Sequence, residues 1–515
     1  MKTPHQSIRS IQDHAPSLTR LMLWKRMMAT CLAVMFCQLK TEAQSISQGL
    51  QFLGNQSTEV ATAIAIAPDK SSIIGGTTTS GSGSKDAFII WQQFSSPVAP
   101  RLSKTYSLGN GDLEITAIES ALPSGSIAVV ANRTGGTGTP DALFLHINSS
   151  GTILGSRFWA STLSESLNDV ISLPDGSFVV VGRLRGSDAT CRSFVARVGD
   201  PSQNYSLIWA RTMGNLSGFA SAADEAVAIK QLPDGNLLVT GFTDQGATTT
   251  QGAAFLWKLD LSGNTVSLQR LTLDPSLIRP KPTDMTILNT GAIAICGNSQ
   301  LNSFGPIKKG WIMRLDANLT NPLLRTVVYT GFEDQHLEFR ALDANPQSNE
   351  FWVAGKVEVP IDADVDVQGL MVGFNEFLTP IGASEIGFNG VDEFNDVRYV
   401  QLGTSSFTSR AAGFSDLSHA RFLPLQNGDA FLAFGGEAGA PCSNDRFFSI
   451  QLEPKTATLA SMTLTINTTM TTTQVLPSNT TISIGATSGC NPLRLAGSTD
   501  QSDEHQASDE SQSEF

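Results

Sequence analysis

One unit recurs along the chain, and it limits the fold more than any other feature. DVISLPDGSFVVVGRLRGSDATCRSFVARV from Asp169 and AVAIKQLPDGNLLVTGFTDQGATTTQGAAFLWKLDLSG from Ala226 share an order of parts. The same order appears in ATAIAIAPDKSSIIGGTTTSGSGSKDAFIIWQQF after Val60 and in TAIESALPSGSIAVVANRTGGTGTPDALFLHINSSG after Ile115. Worn copies follow as MTILNTGAIAICGNSQ with GWIMRLDAN, then NEFWVAGKVEV with GLMVGFNEF. Gly76, Ala131, Gly182, Gly241, Gly297 and Gly355 close the second run of each copy, 51 to 59 residues apart.

Each copy reads as four antiparallel strands. An alternating run comes first, and a Pro-Asp-Gly type turn reverses it, Pro presetting one dihedral and Gly taking the left-handed one. A β-branched run such as FVVVG returns beside it. A Gly- and Thr-rich loop leads to a third strand such as AFLWKLD and a weaker fourth such as NTVSLQRL. Such a sheet is apolar on both faces and needs a neighbour on each side, which a closed ring supplies. The fold expected is all-β, a propeller of four-stranded antiparallel blades. The last copy has two placements. A marker at Gly413 makes DAFLAFGG an outer strand, and a marker at Gly435 is followed by RFFSIQL as a third strand. Seven blades are expected, with eight as the rival count. Residues 45–54, SISQGLQFLG, resemble a blade's outer strand and are expected to close the ring from the N-terminal side.

The pattern A-x-A-I, then (P)-D/S-G-x-x-x-V-x-G-x-T, then D-A-F-x-x-x-L resembles the extracellular β-propeller repeats called SBBP repeats, over roughly 45–455. The later copies lose the Asp-Gly turn. The resemblance implies a fold and a secreted or surface setting, and it brings no common reaction.

Composition agrees with strands and turns. Only 16% of the residues are charged, against 45 glycines, which disfavours coiled coils and helical bundles. A net charge of −13 disfavours nucleic acid, whose phosphates need clustered Lys and Arg. Residues 27–39, MMATCLAVMFCQL, form a 13-residue apolar run after Lys25 and Arg26 and before Thr41-Glu42-Ala43, the order of a secretory leader. It is short of the roughly 20 apolar residues of a spanning helix, so no stable membrane span is expected. The expected segments are therefore a leader at 1–43, a propeller at 44–455, a Thr-rich extension at 456–495 with possible extra strands, and a tail at 496–515. Removing the leader takes the net charge from −13 to −17, and from Asp500 onward the tail carries six carboxylates, a composition of disorder.

Four cysteines remain beyond the leader, and Cys442 with Cys490 is the pairing considered. Sequons stand at Asn55, Asn132, Asn148, Asn204, Asn215, Asn318, Asn467 and Asn479, glycosylation candidates in surface loops of a secreted chain.

Chemical motifs are sparse. There is no H-E-x-x-H, G-x-S-x-G, Walker loop or dinucleotide fingerprint, and His146, His336, His419 and His505 are scattered. Asp362, Asp364 and Asp366 in IDADVDVQG are the best metal candidates, with calcium as the ion. An EF-hand would need Gly and Glu where Val367 and Gly373 stand, which leaves a looser blade loop or a solvated hairpin. Asp392, Glu393 and Asp396 form a weaker cluster. No catalytic residue and no other cofactor stands out. The expected function is a secreted, non-enzymatic binding or scaffold module for an extracellular protein or glycan. The rivals are a glycoside hydrolase or lyase using channel carboxylates, and a structural surface-coat protein.

Overall fold

The computed structural model describes residues 49–488, apart from short connections and from 214–223, 244–251, 416–428, 436–449 and 468–477. Its strands form seven antiparallel sheets. Their inner strands touch in sequence, the seventh returning to the first, so the chain is a β-propeller. Blade 1 is Thr58–Ile66, Ser72–Thr79, Lys85–Gln92 and Leu102–Ser107; blade 2 is Asp112–Ala121, Ser126–Thr134, Asp141–Ile147 and Ile153–Trp159. Blade 3 is Glu165–Ser172, Phe178–Arg185, Cys191–Val198 and Leu207–Met213; blade 4 is Glu225–Gln231, Leu237–Thr243, Ala253–Leu259 and Thr265–Leu273. Blade 5 is Leu277–Ile287, Ile293–Leu301, Lys308–Leu315 and Leu323–Tyr329; blade 6 is Leu337–Ala344, Phe351–Ile361, Asp364–Phe374 and Pro380–Ile386.

Blade 7 joins both ends of the chain. Asp392–Gln401, Phe407–Ser415 and Asp429–Gly435 are its first three strands, and Gly49–Gly54 is the fourth, with Phe52 opposite Phe431. The marker is thus Gly413, on the second strand, and DAFLAFG is a third strand rather than an outer one.

The segment after the ring does add extra strands, and they are distributed over the outer edges of several blades. They run around the outside as a belt. Ile450–Lys455 pairs with the outer strand of blade 5, Ala457–Ser461 with blade 4 and Ile466–Asn467 with blade 3. Ser478–Thr481 then pairs with blade 1, and Gly485–Ser488 with the closing strand of blade 7. The end of the run RFFSIQL, Ile450–Leu452, lies in the belt and not in a third strand of an eighth blade; among the described residues the ring strands end at Gly435 and the belt begins before residue 456.

The core lies between blades rather than in the middle. Ile73, Ile89 and Trp91 pack with Ile118, Val129 and Leu143 of blade 2, while Ile74, Phe88 and Ile90 face Ala412 of blade 7. Successive residues of a strand point to opposite faces, so burial on both faces explains the continuous apolar runs and the scarcity of charge.

A shared irregularity organises the inner strands. In every blade the register slips at one residue, Thr62, Thr116, Asn168, Val227, Thr283, Arg340 or Asn395, a β-bulge. The marker residue of the second strand sits opposite the position just before the slip. There the bulge turns a carbonyl onto the marker: a Cβ on Gly182 would lie 1.9 Å from the Ser166 oxygen. Blade 2 fits Ala131 at this position, fully buried. The turn before the marker strand is equally plain, with Gly176 at φ 82° and its amide bonded to the Leu173 carbonyl at 2.9 Å.

Gly182→Val is expected to lower stability by about 1–3 kcal/mol through overpacking against backbone. Ala131→Gly should cost no more than about 1 kcal/mol. Urea denaturation of both variants checks the contrast.

Candidate functional site

The bulges gather mostly polar side chains at one end of the central channel. Among the described residues these and Asn298 stitch blades to their neighbours at every seam except that between blades 4 and 5, where the bulge residue is Val227. Thr62 Oγ1 donates to the Ile115 carbonyl at 2.5 Å, Thr116 Oγ1 to that of Leu167 at 2.8 Å and Asn168 Nδ2 to that of Ala226 at 2.8 Å. Asn395 Nδ2 closes the circle on the Ala61 carbonyl at 2.8 Å. Between blades 5 and 6 Asn298 does the work, donating to the Phe339 carbonyl at 2.8 Å and accepting its amide at 2.7 Å. Arg340 reaches Asn395 and forks onto Glu393 at 3.1 and 2.9 Å.

Above this ring opens a cavity of about 830 Å³, the channel mouth. Its lining is Thr, Asn, Glu, Lys and Arg with a few aliphatics, and no aromatic side chain among the described residues. Two of the acids near it are ion-paired: Glu114 with Lys85 at 2.7 Å, and Glu393 with Arg340 and with Lys356 at 3.4 Å. Glu225 accepts from Asn168 at 3.0 Å.

Deeper in the channel a second set of acids holds the next blade's backbone. Asp169 accepts the Ile229 amide at 2.9 Å, Asp284 that of Leu342 at 3.0 Å, Asp343 that of Tyr399 at 2.8 Å and Asp396 that of Ile64 at 2.8 Å. Lys230 and Arg398 are the cations among them, Arg398 lying 2.6 Å from Asp396. Burial pushes Asp396 up to about 7 despite Arg398 and its two amide donors. Glu119 is also raised to about 7 by burial, against the pull of Lys230 and Arg398.

The residues singled out in the sequence scatter. Asp364 and Asp366 lie on the third strand of blade 6, opposite Ile361 and Val359, and Asp362 falls outside the described residues. Asp392 accepts from Ser415, Glu393 serves the mouth and Asp396 the seam, so this trio is divided among three tasks. No group of three or more His, Cys, Asp or Glu that could hold a metal occurs among the described residues. Cys442, Cys490, Asn55, Asn215, His419 and His505 lie outside the described residues. Asn132 is in a strand, not a surface loop, and its amide binds both the carbonyl and the amide of Leu167, at 3.1 and 2.8 Å. Asn148 shapes a turn through Ser150 and Thr152, while Asn204 and Asn318 are exposed. Asn467 and Asn479 sit on belt strands.

Sequence reasoning missed the mouth, although a signal existed: a polar residue 14 or 15 positions before the marker in otherwise apolar strands, as Thr62, Thr116, Asn168, Thr283 and Arg340. It also missed a buried polar relay between blades 2 and 3. His146 Nε2 lies 2.6 Å from Ser126 Oγ, and Nδ1 lies 2.9 Å from the Tyr205 hydroxyl. All three are buried, His146 at 4% exposure, so the Ser-His contact holds the blades together and presents no nucleophile to solvent.

Burial lowers the His146 pKa from 6.5 to about 4. The unfolded chain then binds an extra proton between those values, so stability falls as pH drops from 6.5 towards 4, by about 3 kcal/mol in all. The raised carboxyls Glu119 and Asp396 act with the opposite sign, losing stability as pH rises towards 7. His146→Gln should therefore remove the acid-side loss alone, read as the difference between variant and parent in denaturation from pH 7 to pH 4.

No protein-family model matches the chain, and no curated protein matches it. Among solved structures it is similar to a protein of unknown function from Dyadobacter fermentans, 10% identical with a TM-score of 0.36, covering 63% of this chain and 98% of that one. It is also similar to the parainfluenza virus 5 hemagglutinin-neuraminidase ectodomain, 8% identical with a TM-score of 0.34, covering 82% and 96%. A third is xylan beta-1,4-xylosidase from Bacillus halodurans, 10% identical with a TM-score of 0.28, covering 80% and 99%. Likeness at this level bears on neither ligand nor reaction.

Proposed function

We propose that the chain is a secreted, non-enzymatic β-propeller of the SBBP type that binds a polar partner, an extracellular protein or glycan, in the channel mouth. The mouth itself carries the reading: a preformed cavity of about 830 Å³ whose hydroxyls, amides and charges converge from all seven blades. Ion pairing of Glu114 and Glu393 fits charged recognition better than proton transfer, which calls for one carboxyl held protonated. The leader-like segment at 27–39 supports export.

Hydrolysis of polysaccharide draws on one observation. Glu119, raised to about 7, is a carboxyl suited to give up a proton near neutrality, yet it lies below the mouth among Asp169, Lys230 and Arg398. If hydrolysis is the function, Glu119→Gln abolishes release of reducing sugar from soluble polysaccharides.

Val227 is an apolar bulge residue with no side-chain hydrogen bond to lose, so it can be enlarged without cutting the ring. Val227→Trp is expected to fill the mouth, leave the melting temperature near that of the parent and remove the hits of the chain from Gln44 onward on a glycan array and a peptide library. Hits that persist in this variant would place the ligand elsewhere and overturn the proposal.

A further inference from the structure

Blade 5 differs from the other six at the mouth. Its inner strand slips register twice, once at the shared bulge and once more between Ile278 and Lys281, leaving Arg279 and Pro280 unpaired. Arg279 stands at φ 48°, in the left-handed region. Residues before proline are normally extended, so this backbone is held against its preference, a state that tends to mark functional positions.

The irregularity delivers two cations to the cavity. Arg279 and Lys281 are both exposed and both line the mouth. Lys281 Nζ lies 5.1 Å from the Phe242 ring centroid in blade 4, an attraction that steadies the ammonium without neutralising it. Pro280 and Pro282 fix the backbone on either side of Lys281, which cuts the ordering cost of binding. Among the described residues neither cation is ion-paired, whereas Lys85 and Arg340, the other cations lining the same mouth, both are. In a chain of net charge −13, two open, pre-set cations in a cavity are a local reversal of sign.

Resting on the reading of the mouth as the binding face, we propose that Arg279 and Lys281 form an anion subsite for an acidic polysaccharide, with the Arg279 guanidinium forking onto a sugar carboxylate. A planar guanidinium matches a carboxylate bidentately, and Lys281 adds a point charge. Thr283, a neighbour on the same blade, lines the cavity beside them with a hydroxyl suited to a sugar hydroxyl. The described lining of the mouth offers no sheet edge or large apolar pocket of the kind that grips most peptides, and an acidic peptide read by basic side chains is the competing occupant that the test includes.

The test is calorimetry of the chain from Gln44 onward with a uronic-acid oligosaccharide, its carboxyl-reduced neutral counterpart and a poly-glutamate peptide. Binding of the uronate, weakened by salt, with about a tenfold or greater loss in Arg279→Gly/Lys281→Gln, is the expected result. Glycine accepts the left-handed backbone, so this variant keeps the local fold, and Arg279→Lys should restore part of the affinity. Equal binding of the neutral sugar, blocked by Val227→Trp but indifferent to the cation variants, overturns the anion subsite and leaves the mouth standing. Uronate binding untouched by Val227→Trp overturns both. Preference for poly-glutamate over the uronate overturns the choice of a sugar.

Discussion

A single extra residue in each inner strand sets up the rest of the molecule. The bulge swings one carbonyl towards the second strand, where only glycine or alanine fits, as Gly182 and Ala131 show. It also swings one side chain out of the sheet towards the next blade. Thr62, Thr116, Asn168 and Asn395 then bond across four of the seams, each contributing on the order of 1 kcal/mol, and the ring acquires polar stitches inside its apolar blade interfaces. The same geometry that closes the ring therefore leaves a polar mouth. Fold and candidate site are two outcomes of one local distortion.

Where that pattern is broken, chemistry becomes available. Val227 has no polar group to spend on a seam, and Arg340 turns its guanidinium to Glu393 and Asn395. Blade 5 departs furthest, because Asn298 takes over the seam and frees the start of the inner strand to kink at Arg279. Repetition supplies the scaffold, and the worn copy supplies the asymmetry that a binding face needs.

The sequence exposed the fold because blade structure is local. Turns such as Leu173 to Ser177 and runs such as Phe178 to Val181 announce their geometry in a few adjacent residues, and the marker glycines record the bulge indirectly. The site was less legible because its members come from seven inner strands and meet only once the ring is closed. Arg279 was hidden further, since its kink precedes MTILNTG, where the worn copy becomes recognisable. The belt was illegible for a different reason. Ala457–Ser461 and Ser478–Thr481 are short Thr-containing segments whose partners lie far back in the chain, and nothing in their own composition selects one outer edge over another.

The belt has a mechanical meaning. Its last strand lies antiparallel to the first strand of the fold, Gln51 opposite Ser488 and Gly54 opposite Gly485. The chain thus enters at Gly49 and leaves at Ser488 on the same end of one ladder. A pull between the two ends loads those hydrogen bonds one pair at a time, as a zipper opens, and not all together in shear. The belt would strip from blade 7, then blade 1, before tension reached blades 3, 4 and 5. A chain tethered at both ends would shed its outer strands as a fuse under force while the inner ring, stitched by its bulges, kept its mouth intact.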